Sequence, residues 1–248
     1  MKSRIMFAAA GILLVSVTLH AAEIKVLSTQ AIQGIYRELV PQFEAATGHK
    51  VTTIFTGTLD VQKRIDAGET HDLILMAGPD LDKLITARKV VSGTRVDLAK
   101  SGVGVAVRVG APKPDIRTAD GLKKAVLSAK FIGYSSGPSG QIVAGIFQRM
   151  GIADEIKGKL KQTPSGVLVG TLLASGEADL GFQQVSELLH FPGIDYVGPL
   201  PPDIQQYTTF SIGIQSGAKE AAAAKAWIMF IKGPEAAPAF RKGGMEPF

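Results

Sequence analysis

Apolar and polar positions alternate along this chain in two different periods, and the periods take turns. Ile24, Val26 and Leu27 form a short apolar run that ends at Ser28-Thr29. From Ile32 the apolar residues Ile35, Tyr36, Leu39, Val40 and Phe43 recur at helical spacing, which predicts a helix with one buried stripe. Pro41 is expected to kink this helix and Gly48 to end it. A strand at Val51–Phe55, a helix at Leu59–Ala67 stopped by Gly68, and an apolar strand at Asp72–Met76 follow, with Gly78-Pro79 opening the next helix. Val103–Val107 starts a second set, broken by Pro112 and Pro114. Thr118 caps a helix to about Ser128. Beyond it come a strand at Phe131–Tyr134, the loop Ser135–Gly140, a helix over Gln141–Met150 and another over Val167–Ala174. Strands follow at Asp179–Gln183, Ile194–Val197 and Tyr207–Gln215, and helices over Lys219–Ile231 and Glu235–Lys242 close the chain.

Alternating strands and helices predict an α/β fold. The glycine-rich run near Ser101–Val105 reads as a crossing between two lobes, and the strand at Tyr207–Gln215 as the return. The expected division is 1–22 as a leader, 23–102 with 209–248 as the first lobe, and 103–208 as the second. The ligand cleft is expected between the lobes, at the carboxyl ends of the strands.

The first residues change the picture most. Lys2 and Arg4 precede an apolar stretch from Phe7 to Leu19, and Ala21-Ala22 supply small residues for cleavage. This is a secretory leader, shorter than the roughly 20 residues of a spanning helix, and it places the mature chain in the periplasm. There is no cysteine, which removes disulfides, thiolate metal sites and cysteine nucleophiles together. The net charge of +5 falls when Lys2 and Arg4 leave, too mild a balance for a nucleic-acid partner. The expected state is a monomer.

Candidate binding residues lie at four strand ends: Ser28 and Thr29; Thr56 and Thr58 around Gly57; Ser135, Ser136, Ser139 and Gly140; Gln183 and Gln184. All are uncharged donors. Strand-to-helix turns also expose backbone N–H groups and the positive end of a helix dipole, a ready site for an anion. Each segment taken alone also reads as ordinary helix capping. The run Gly133-Tyr134-Ser135-Ser136-Gly137 fits the G-x-S-x-G pattern, but Pro138 delays the helix that a nucleophile elbow needs. It also lacks the Gly-Lys-Ser/Thr ending of a phosphate loop. His49, His71 and His190 are scattered, with no helical pair to hold a metal, and no cofactor site is evident. Asp72 reads as the anchor of its own turn, and Glu187 as a general base or a helix-start carboxylate.

At these residues the chain resembles the periplasmic molybdate-binding protein family, of the type II solute-binding fold. The resemblance covers most of the mature chain and includes the Ser28 turn, Phe43–Gly48, Ile65–Gly68, Gly176–Asp179 and Gly244–Pro247. Members that bind molybdate carry Ala-Ser at the first turn, a Gly-Ser-Ser type turn at the second and a tyrosine at the fourth. Here those places hold Ser28-Thr29, Thr56-Gly57-Thr58 and Gln184. A divergent branch that looks like periplasmic aconitate isomerase matches more closely, at Arg95–Leu98, Gly110–Asp115, Gly181–Leu188 and Pro192–Asp195. That resemblance implies a small tricarboxylate ligand and a cofactor-free proton shift between cis and trans isomers. The alternative it leaves open is the binding component of an ABC transporter for molybdate, another oxyanion or a carboxylate, delivering to a permease. A secreted binding or sensory module is a third. Under the first reading no catalytic residue is fixed: Glu187, His71 and Tyr134 are candidate bases, and Arg37, Lys63, Arg64 and Arg149 candidate counter-charges.

Overall fold

The computed structural model of the chain describes residues 21–248, so the leader expected over 1–22 lies, through residue 20, outside the described residues. Among the described residues no helix is long and apolar enough to cross a membrane.

The elements alternate as the periodicity predicts. β1 (Glu23–Thr29) passes through a 3₁₀ turn into α1 (Gln33–Thr47), followed by β2 (Lys50–Thr56), α2 (Thr58–Asp66), β3 (Leu73–Ala77) and α3 (Gly78–Thr86). Then come β4 (Val96–Arg108), α4 (Ala119–Ser128), β5 (Ile132–Tyr134), α5 (Pro138–Arg149), α6 (Ala153–Ile156), β6 (Leu160–Gln162), α7 (Gly170–Ala174) and β7 (Leu180–Gln184). The chain finishes with α8 (Val185–Leu188), β8 (Ile194–Pro199), β9 (Tyr207–Ile214), α9 (Ala221–Lys232), α10 (Ala237–Lys242) and β10 (Glu246–Pro247).

The strand order β2-β1-β3-β9-β4-β7-β5-β6 makes one continuous path through two lobes. In the first, β1 pairs in parallel with β2 and β3, and β3 pairs antiparallel with β9. All five residues of β3 are buried, as a strand covered on both faces requires. One face packs Val26, Phe43, Trp227 and Phe240 under α1, α9 and α10. The other packs Leu27, Val61, Ile74 and Leu81 under α2 and α3. Trp227 lies edge-on to Tyr36 and Phe43 and donates its indole N–H to the Tyr36 hydroxyl at 3.1 Å. In the second lobe β5 pairs in parallel with β6 and β7 over a core of Val105, Leu122, Ile132, Phe147 and Phe182.

α1 continues past Pro41 as one helix and ends at Gly48 as expected, with Ile35, Tyr36, Leu39 and Phe43 buried. Two other features depart from expectation. β4 is one strand of 13 residues, where a separate strand at Val103–Val107 was expected. Upstream of Val103 it pairs with β9, and downstream with β7 and β8. Asp72 anchors more than its own turn. One oxygen accepts from the Lys25 N–H of β1 at 2.8 Å, and the other from the N–H groups of Lys219 and Glu220 ahead of α9 at 2.9 and 2.8 Å.

Asp72 is buried, so Asp72→Ala strands these donors. With each lost bond contributing about 1 kcal/mol and each stranded donor more, the variant is expected to be about 3 kcal/mol less stable in urea unfolding. A loss below about 1 kcal/mol on that scale would refute the anchoring role.

Candidate functional site

The carboxyl ends of β1, β2, β5 and β7 converge on one cavity of about 40 Å³. Its walls hold Thr29 from β1, Thr56 and Thr58 from the β2–α2 turn, Ser135, Ser136 and Ser139 from the β5–α5 turn, and Gln183 and Gln184 from β7. Two residues of the same segments stay out of the wall. Ser28 is fully buried, and its hydroxyl donates to the Thr29 carbonyl at 2.9 Å. Gly140 packs beneath the loop, donating its N–H to Ser135 Oγ at 3.2 Å. A Cβ at Gly140 would overlap the Ser135 carbonyl, so the loop closes only over a glycine.

The N-cap positions of α2 and α5 are Gly57 and Gly137, which carry no side chain to cap them, and in α5 the Ser135 hydroxyl takes up only the Gly140 N–H. Both first turns border the cavity, one from each lobe, so two positive helix ends face one point. By contrast Thr118 caps α4 as expected, accepting from the Gly121 N–H at 3.1 Å. Thr29 Oγ1 and Ser165 Oγ are buried without a hydrogen-bond partner, and both residues line the cavity. An unmet buried polar group costs about 1–3 kcal/mol, which a polar ligand would relieve.

Sequence reasoning missed Gln30, Ser165, Gly166 and Phe210, all in the wall. Gln30 donates its amide to the Gly166 carbonyl at 3.0 Å, joining the lobes across the cleft. A Cβ at Gly57 would overlap Ser165 Oγ and the Gly166 nitrogen, so this close approach admits only glycine. The turn-like Thr163-Pro164-Ser165-Gly166 was the available signal.

The two glutamines spend their amides on the protein. Gln183 Oε1 accepts from the Val169 N–H at 2.7 Å and steadies the segment behind Gly166. Gln184 reaches the crossing strands. With its oxygen accepting from Thr208 Oγ1 at 2.8 Å, its nitrogen donates to the carbonyls of Ser101 and Gly102 at 3.1 and 3.3 Å. This orientation satisfies every group.

Among the described residues no lysine or arginine lines the cavity, and Glu187 is its one ionisable wall residue. Glu187 stands in the first turn of α8. Burial pushes its carboxyl from 4.5 up to about 7, against hydrogen bonds from the Gln183 side chain and the Gln184 backbone that favour the charged form. The other candidate bases stand elsewhere. His71 lies just before β3, at the far end of that strand, where burial pushes its pKa down and Glu69 is 3.4 Å away. Tyr134 packs against the second-lobe core. Arg64 pairs with Glu69 at 3.0 Å, and Lys63 and Arg149 are exposed on helix surfaces. Arg37 lines a neighbouring cavity.

Residues 24–246 match the profile of the bacterial extracellular solute-binding protein family. The chain is 37% identical to an aconitate isomerase from Pseudomonas sp over 96% of its own length and 94% of that protein's. It is 27% identical to the molybdate-binding protein ModA of Azotobacter vinelandii over 95% of this chain and 94% of that one. The solved periplasmic molybdate-binding protein of the same organism superposes with a TM-score of 0.76 at 20% identity, covering 90% of this chain and 98% of that one.

Two outcomes test the site's chemistry. Ser135 Oγ is 2.9 Å from Ser139 Oγ and accepts from Gly140, whereas Ser136 has no such role in the loop. Ser135→Ala should therefore lower stability by about 1–2 kcal/mol, and Ser136→Ala should leave urea unfolding nearly unchanged. Equal losses would contradict this division. Glu187 binds its proton more tightly folded than unfolded, so its contribution to stability is full below 4.5 and falls away as pH rises to about 7. Glu187→Gln removes that loss. The variant's melting temperature should gain on the wild type between pH 5 and pH 7.5, and a pH-independent difference would refute the raised pKa.

Proposed function

Because the chain belongs to the bacterial extracellular solute-binding protein family, we propose that it binds a small polycarboxylate in the periplasm and interconverts trans- and cis-aconitate by a proton shift. The observation that carries this reading is Glu187, an ionisable side chain with a pKa near 7 on the wall of a cavity otherwise built from neutral donors. A general base works best when its pKa lies near the working pH. The likeness to an aconitate isomerase supports the substrate.

In the proposed reaction the Glu187 carboxylate takes a proton from the methylene carbon beside the double bond. The electron pair left behind spreads over the three-carbon allylic unit and onto an attached carboxylate. The N–H groups of Thr58 and Leu59 at the start of α2 and of Ser139 in α5, which opens on Pro138, would stabilise the added charge together with the hydroxyls of Thr58 and Ser136. Protonated Glu187 returns the proton to the far carbon of the unit, and the double bond has moved. No electrons are gained or lost, so the step calls for no redox cofactor.

The cavity as it stands is far below the roughly 300–1,000 Å³ of an ordinary ligand pocket, so substrate enters when the lobes part. We take the lobes to divide at 102/103 and 208/209, because β4 changes partners between Gly102 and Val103. The same small size favours a second reading. A compact oxyanion suits this cavity better than a tricarboxylate does, and a chain that only binds would serve as the receptor of an ABC permease.

Purified mature chain mixed with trans-aconitate in heavy water, followed by proton NMR, decides between them. The isomerase produces deuterium-labelled cis-aconitate with turnover. Glu187→Gln should lower kcat by about 10²–10⁴-fold, the usual contribution of a general base, and wild-type kcat, which reports the closed complex, should rise with pH to a plateau above about 7. Tight binding with neither interconversion nor exchange leaves the receptor.

A further inference from the structure

A second cavity of about 470 Å³ shares Gln30 and Glu187 with the lining of the first. Its volume is that of an ordinary ligand pocket. Its character is opposite to the first. Arg37, Lys242 and His190 line it, with Glu38 and the shared Glu187 as the opposing acids. Glu38 is already neutralised by Lys242 at 2.9 Å. Arg37 makes no ion pair among the described residues. The helix supplies the spacing: Gly34, Arg37 and Glu38 on α1 fall three and four residues apart, so they share one face.

Gly34 is the informative member of that face. It lines the second cavity, near the start of α1. A Cβ built there would meet nothing within 4 Å. Its φ is not in the left-handed region, so neither packing nor backbone demands glycine. Glycine within a helix costs roughly 0.5–1 kcal/mol relative to alanine. What it provides here is empty volume beside Arg37.

We propose that this second cavity is a subsite for a distal carboxylate arm of the ligand, with Arg37 as its binding residue and Gly34 as the source of its room. The proposal rests on the polycarboxylate reading above. One carboxylate would lie between the two helix N-termini, the reacting carbons would pass along Glu187, and the far carboxylate would reach Arg37. The arrangement answers the charge problem of the first cavity, which has hydrogen-bond donors but no cation. It also sets selectivity, because a compact oxyanion fills the first cavity alone and gains nothing from Arg37.

The test uses tricarballylate, a saturated tricarboxylate with no double bond to shift, so binding is read apart from catalysis. Its affinity and that of succinate are measured by calorimetry on wild type, Arg37→Met and Gly34→Met. Arg37→Met keeps the aliphatic stem of an exposed residue and removes the charge. A hydrogen-bonded charge contributes about 1.5–3 kcal/mol, or roughly 10–150-fold in affinity. Arg37→Met should weaken tricarballylate by at least about tenfold on that scale and reduce its preference over succinate. Gly34→Met should weaken it similarly by occupying the space, while the melting temperature holds or rises, as expected when a helical glycine is replaced. Unchanged affinity in both variants, or a wild type that takes up no tricarballylate, overturns the subsite. Wild-type kinetics of aconitate interconversion in Arg37→Met overturns the subsite and leaves the isomerase reading standing. Arg37-dependent tricarballylate binding without any interconversion does the reverse.

Discussion

Strand β4 carries two sheets on one backbone. From Val96 to Gly102 its hydrogen bonds go to β9, and from Val103 onward to β7 and β8. The lobes are therefore joined through a continuous strand, and the turns that meet at the cavity are placed relative to one another by it. The amide of Gln184 sits where the partners change, tied to the carbonyls of Ser101 and Gly102 on β4 and to Thr208 on β9. Gln184 also lines the cavity. The cavity wall and the crossing therefore share a residue.

What the sequence makes legible follows from how local each interaction is. The strands β1, β3 and β7 and the buried stripe of α1 are readable because one face of each element must be apolar, and the pattern appears within a few residues. The turn hydroxyls at Thr29, Thr56, Thr58, Ser135 and Ser136 are readable for the same reason: a strand-to-helix reversal needs donors at known offsets. β4 hides its continuity because Ser101-Gly102-Val103-Gly104 has the composition of a linker, and only its partners make it a strand. The edge strands β6 and β10, three and two residues long, are too short to show a period. The work of Gln183 and Gln184 depends on Val169, Ser101 and Gly102, which no local pattern connects to them. Ser165 and Gly166 reach the site only because Gly57, on the other lobe, lets them approach.

Electrostatically the first cavity combines neutral donors with a single carboxyl among the described residues. Neutral hydroxyls, amides and helix ends distribute the charge over several donors, each individually modest. A lysine or arginine in the same wall would pair with Glu187 and return its carboxyl toward the ordinary carboxylate range. The lack of a cation among the described wall residues and the raised pKa of Glu187 are thus two consequences of one choice of lining.

That link gives lobe closure a chemical meaning. Glu187 owes its raised pKa chiefly to burial, and Gln183 and Gln184 only moderate it. When the lobes part, water reaches the cleft and desolvation is relieved, so the carboxyl returns toward an ordinary, weakly basic glutamate. In the proposed reaction, closing over a ligand makes the same side chain a stronger base beside the carbon it would deprotonate. A neighbouring substrate carboxylate adds a like charge and pushes in the same direction. A solute-binding cleft already performs this opening and closing for the sake of binding. On the proposed reading, one carboxylate on α8 in a wall of neutral donors would turn that closing motion into the activation of a base.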